Sequence, residues 1–154
     1  MIKILPAKKN GFTLLEITVV IFIFAIMAAI TIPFINKFQP TLKLNSASRN
    51  LVADLRYAQQ LTVTEQVPHL IYLDLADGSY QLLRVESAAT TTIKDVNFPA
   101  GIGFELASTT ISEVRFNSYG GVSAGSVGQI ELINESEKAQ YINIKPSGYV
   151  QLSN

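Results

Sequence analysis

Cysteine is absent from this chain, and histidine occurs once, at His69. Without thiols there is no disulfide framework, so whatever folds must hold together by core packing. With one imidazole and no thiolate, a soft-metal site lacks its ligands, and His69 reads as a strand-edge residue. Basic and acidic side chains number 12 each, so the basic excess of an electrostatic nucleic-acid binder is missing. The glycine-rich stretch 120–128 lacks the Gly-Lys-Ser/Thr ending of a phosphate loop and reads as the longest flexible connection. Asp74 and Asp77 do not have EF-hand spacing, and Asp77-Gly78 is explained by a turn. No Ser/His/Asp set and no carboxylate pair stands at informative spacing. The expectation is no enzyme, no catalytic residue, no metal and no cofactor.

Charge is missing most conspicuously near the N-terminus. Between Lys9 and Lys37 the one charged side chain is Glu16. A helix over 12–35 would rise about 1.5 Å per residue and reach roughly 36 Å, enough for a hydrocarbon core of about 30 Å. Lys3, Lys8 and Lys9 precede the apolar run and no acid does, which places the N-terminus on the cytoplasmic side and the rest of the chain outside. A cleaved secretory signal would need a small-x-small site after the apolar core. Residues 25–30 (Ala-Ile-Met-Ala-Ala-Ile) contain no Ala-x-Ala triplet. A carboxylate just inside a lipid-facing helix is costly, so Glu16 needs a partner or a purpose.

Lys9-Asn10-Gly11-Phe12-Thr13-Leu14-Leu15-Glu16, followed by an apolar helix with Pro33, resembles the class III signal of type IV pilins and pseudopilins. The resemblance implies cleavage by a prepilin peptidase between Gly11 and Phe12 and N-methylation of Phe12. Gly11 suits such a site because a residue without Cβ admits another backbone closely. Cleavage would create a largely cationic amine on Phe12, since an α-amino group titrates near 7.7–8.0. Glu16, about one helical turn along, could reach that amine on a neighbouring subunit. Removing one member of a buried ion pair costs about 3–5 kcal/mol, so the pair would set register in a bundle, and Glu16 is the expected filament-assembly residue. Without the three leader lysines the chain holds 9 basic and 12 acidic side chains.

Beyond the apolar run, Pro33 and Pro40 each delete a backbone hydrogen bond, and a kink or unwound stretch is expected there, with Pro33 as the kink residue. Leu44, Ala47, Leu51, Leu55, Ala58 and Leu61 or Thr62 then mark one apolar helical face, with Lys43, Asn50, Asp54 and Gln59 on other faces. Strand patterns follow at 69–75, 79–86, 93–98, 102–106, 113–117, 129–134, 139–144 and 149–152, with a tight hairpin at Asp77-Gly78 and a loop at 88–92. The expected class is α+β. Its plan is a pilin-like fold: a long N-terminal helix, transmembrane then amphipathic, packed on an antiparallel β-sheet head. The expected divisions are a cleaved leader (1–11), a transmembrane helix (12–35), an amphipathic extension (36–67) and a β-rich exported head (68–154).

Three further segments narrow the resemblance. Asp54-Leu55-Arg56-Tyr57-Ala58-Gln59, residues 114–120 (Val-Arg-Phe-Asn-Ser-Tyr-Gly) and residues 142–150 (Ile-Asn-Ile-Lys-Pro-Ser-Gly-Tyr-Val) are similar to segments of GspH/FimT-type minor pseudopilins. The resemblance implies a structural subunit of a type II secretion or type IV pilus filament, held in the inner membrane with its head exported. Its partners would be other pilins or pseudopilins, prepilin peptidase, the assembly platform and the lipid bilayer. The alternative is a membrane-tethered β-rich ligand-binding module, including a DNA-uptake minor pilin. Some pilus-side relatives bind DNA through basic residues after the last glycine. Here residues 149–154 contain no Arg or Lys, a departure that argues against nucleic acid, because phosphate contacts need cations.

Overall fold

The computed structural model describes residues 11–86 and 89–153, without the side chains of Pro33, Phe34 and Asn36. The leader residues 1–10, with Lys3, Lys8 and Lys9, lie outside the described residues. The chain divides into two compact units, Met1–Lys37 and Phe38–Asn154. Helix α1 (Leu14–Glu65) contributes to both. Residues 33–40 are helical throughout, so the unwinding expected at Pro33 and Pro40 is absent.

In the first unit, α1 is apolar on every side. Leu14–Ile32 is long and apolar enough to cross a membrane, and none of it is buried within the chain. Its hydroxyls are satisfied locally: Thr18 Oγ1 donates to Leu15 O and Thr31 Oγ1 to Met27 O, each at 2.8 Å. That local bonding removes most of the desolvation cost of a threonine in lipid.

In the second unit, α1 presents one buried stripe, Leu44, Ala47, Ser48, Leu51, Val52, Asp54, Leu55, Ala58 and Thr62. The spacing is that of a helix covering a sheet. The described strands form two four-stranded antiparallel sheets. The first contains β1 (His69–Asp74), β2 (Ser79–Val85), β3 (Thr90–Asn97) and β5 (Glu113–Arg115), in the order β3-β2-β1-β5. The second contains β4 (Ile102–Phe104), β6 (Gly128–Asn134), β7 (Ala139–Ile144) and β8 (Val150–Ser153), in the order β4-β6-β7-β8. Period-two burial along β2, β4 and β7 turns Tyr80, Leu82, Ile102, Phe104, Ile142 and Ile144 inward. With Ile71, Val114, Phe116, Ile130 and Leu132 they join the helical stripe in one apolar cluster. Each fully buried Leu or Ile contributes about 1.5–3 kcal/mol, which is how the head holds together without cross-links.

Several expectations needed correction. The β1–β2 connection is not a two-residue turn at Asp77-Gly78. The last pair is Asp74 with Ser79, and Asp74 organises the loop: its Oδ1 accepts from Ala76 N and Asp77 N, each at 3.1 Å. Gly78 closes it at φ 64°. Asp74 is therefore an Asx-type cap. Residues 90–92, expected in a loop, begin β3; Ala88 lies outside the described residues. Asp54 is not on a solvent face but buried, and His69 is fully buried at the start of β1, an interior strand. The 120–128 stretch is tied down by Val122 N to Pro146 O at 3.0 Å and Ser123 N to Arg115 O at 2.9 Å.

Candidate assembly segment and its surroundings

Gly11, Phe12 and Thr13 precede the helix as irregular backbone. Among the described residues, a Cβ placed on Gly11 would meet nothing within 4 Å. Phe12, Leu14 and Leu15 are highly exposed. Thr13 begins the helix: its Oγ1 accepts from Glu16 N at 3.2 Å, and its carbonyl accepts from Ile17 N at 3.3 Å. Thr13-Leu14-Leu15-Glu16 thus carries the hydroxyl half of a capping box, with Glu16 at the third helical position. A carboxylate there is favoured by the unsatisfied N–H groups of the first turn, by about 0.3–1 kcal/mol. The Thr-x-x-Glu spacing was open to inspection in the sequence, and it gives Glu16 a local role that charge considerations do not supply.

In the head, α1 is fastened to the first sheet by a buried polar cluster that periodicity does not reveal. Tyr80 OH donates to Asp54 Oδ2 at 2.6 Å, and Lys94 Nζ lies 2.8 and 2.6 Å from the two carboxylate oxygens. Burial, followed by the adjacent Asp54 carboxylate, pushes the Tyr80 hydroxyl well above the ordinary tyrosine range. A second cluster closes the helix end. His69 N donates to Thr62 Oγ1 at 3.1 Å, and Thr62 Oγ1 donates to Ala58 O at 2.9 Å. His69 Nδ1 lies 2.8 Å from Val67 O, an acceptor, which fixes the proton on Nδ1.

The segments after Phe116 and around Gly148 are locked to the helix. Gln59 Nε2 donates to Gly120 O at 2.6 Å, and Arg56 Nη2 donates to Val150 O at 3.2 Å. Gly148, at φ 81°, leaves no room for a Cβ, which would strike Gly120 O and Gln59 Nε2. Only glycine meets both demands. Arg56, Gln59 and residues 147–150 line an open cleft. A cation from the helix therefore stands beside the closing hairpin, although the hairpin itself ends without one. Among the described residues no group of three or more His, Asp or Glu side chains is placed to hold a metal ion.

Residues 6–32 match the model of the prokaryotic N-terminal methylation motif. Solved structures of two proteins share the fold. The type IV minor pilin FimU of Pseudomonas aeruginosa superposes with a TM-score of 0.62 at 16% identity, covering 76% of this chain and 92% of that one. The chain thus combines the fold of a type IV minor pilin with the N-terminal methylation motif. The minor pseudopilin EpsH, from the type 2 secretion system of Vibrio cholerae, superposes with a TM-score of 0.60 at 10% identity, covering 72% of this chain and 96% of that one. No curated protein sequence matches the chain. The pilin-like α+β architecture expected from the sequence is thus observed, with the motif spanning Gly11, Phe12 and Glu16.

Proposed function

We propose that this chain is a minor pilin-like structural subunit of a type II secretion or type IV pilus filament. The reading is carried by one conjunction: a methylation motif opens a wholly exposed apolar helix, and that helix leads into a head with the fold of FimU and EpsH. A helix that is apolar on every side needs lipid or other apolar helices around it. In this reading the chain waits in the inner membrane with its head exported and residues 1–11 in the cytoplasm. Prepilin peptidase cuts after Gly11 and methylates Phe12, and an assembly platform moves the subunit into a filament of other pilins or pseudopilins. Residues 12–35 span the bilayer, 36–67 extend the helix, and 68–154 form the head. Pro33, which deprives the carbonyl of Ala29 of its donor, is the position at which the helix bends.

Glu16 then has two successive partners. In the solitary subunit its carboxylate sits at its own helix N-terminus; in the filament it meets the methylated amine of a neighbour. Mass spectrometry of membrane-extracted protein tests the processing step. A chain beginning at N-methyl-Phe12 supports the proposal, and one that retains Met1 overturns it. Glu16→Gln tests the charge alone, because glutamine keeps the size of the side chain and can still join a capping box but carries no charge. Filament incorporation is expected to fall with Glu16→Gln as strongly as with Glu16→Ala, while membrane insertion is unchanged in both. Full incorporation of Glu16→Gln would remove the ion pair from the mechanism.

A further inference from the structure

Strand β3 is an outer strand of the first sheet, and all of its residues except Val96 are exposed. Its ladder with β2 fixes the direction of its backbone groups. Glu86 N donates to Ala89 O and Phe98 N donates to Gly78 O, while Val85 N turns the other way, to Pro68 O. Hydrogen-bonded and non-hydrogen-bonded pairs alternate along an antiparallel ladder. The register shifts between Leu82, opposite Lys94, and Leu83, opposite Thr92, which leaves Ile93 outside the pairing. Counting from both ends, the N–H and C=O groups of Thr90, Thr92, Asp95 and Asn97 point away from β2, along the open edge.

Natural sheets guard such edges with lysine, proline or very short strands. Here the guard is drawn inward: Lys94 Nζ is held on Asp54 at 2.6 and 2.8 Å. Asp95 is engaged by Gln81 Nε2 at 3.0 Å. Residues 89–93, Ala-Thr-Thr-Thr-Ile, bring no charge and no proline.

We propose that this edge pairs with the same edge of a second copy, antiparallel about Thr91. In that register Thr90 of each copy faces Thr92 of the other. Both present outward N–H and C=O groups, so each pair exchanges two hydrogen bonds. Thr91 meets Thr91 as a non-hydrogen-bonded pair, and Ala89 faces Ile93. A second copy fits because over residues 89–93 the register opposes neutral side chains, most of them β-branched, a combination that favours cross-strand packing. No like charges are set against each other. The contact is isologous and closes on itself, whereas filament subunits repeat by one head-to-tail operation. The pair is therefore a state of the subunit outside the filament, and it does not depend on the filament reading.

The absence of native cysteine makes the test clean. Full-length protein carrying Thr91→Cys is oxidised mildly in membranes and in detergent, beside the control Ser147→Cys on the β7–β8 turn. Non-hydrogen-bonded partners have Cα atoms about 4.5 Å apart, within disulfide reach. The Thr91→Cys chain is expected to form disulfide dimers at least about tenfold more readily than the control. Adding Thr92→Lys, which sets charge on the edge, is expected to abolish them without shifting the thermal midpoint. Dimers no more abundant than the control's, dimers that survive Thr92→Lys, or capture of a different protein by Thr91→Cys would each overturn the proposal.

Discussion

One helix has two characters, and the contrast between them explains more than either half alone. In Leu14–Ile32 every face is apolar and, among the described residues, none of it is buried. From Leu44 to Thr62 one stripe is buried, and its apolar residues join two sheets in a single cluster. The same backbone hydrogen bonding therefore serves two solvents. In the first region the side chains must suit lipid or neighbouring helices, and shape matters little within one subunit. In the second they must fit a particular cavity, and shape decides stability.

That difference can be broken deliberately. Leu51→Ala in the buried stripe should lower head stability by about 2–5 kcal/mol through lost burial and a cavity, whereas Phe22→Ala in the exposed stretch should leave the thermal midpoint of the head unchanged. Gly148→Ala should cost about 2–3 kcal/mol, because it combines a left-handed backbone with a collision against Gly120 O; chemical denaturation reads both. Asp54→Ala should cost about 1–3 kcal/mol by stranding the buried Tyr80 hydroxyl. The half-exposed Lys94 can turn to water and adds little.

The Tyr80 hydroxyl also sets an alkaline limit. Its folded value lies above the unfolded one, near 10, so the protonated form is favoured by folding. The associated stability is fully present below about pH 10 and declines as pH rises beyond it. Tyr80→Phe should flatten that decline, and melting temperatures between pH 8 and 11 would show it. Smallest of all, Thr13→Ala should fray the first turn of the exposed helix at a cost of about 1 kcal/mol, detectable by amide exchange at Glu16 and Ile17 and without effect on the head.

The regular parts of the fold were legible because their periods are. The 3.6-residue stripe from Leu44 and the alternation in β2 and β7 announce buried faces directly. The positions misread are those settled by partners distant in sequence or by exact turn geometry. Asp54 sits on the helix like a solvent residue until Lys94 and Tyr80, 40 and 26 residues away, close over it. His69 becomes interior because β5, from the far side of the sheet, pairs beside β1. Asp77-Gly78 carries hairpin chemistry, yet Asp74 captures the loop amides first. At the assembly segment the motif was readable, whereas the capping geometry of Thr13 needed a helix start placed at Leu14.

Thr13 has a consequence for timing. Thr13 Oγ1 takes up the Glu16 backbone N–H, so the helix start is fixed with the Glu16 carboxylate in the first turn, where the remaining free amides favour its charge. In the proposed filament, recruitment would be an exchange of companions for that carboxylate. Because the first-turn amides favour that charge by only about 0.3–1 kcal/mol, the anchor would not have to be remade when the companion changes.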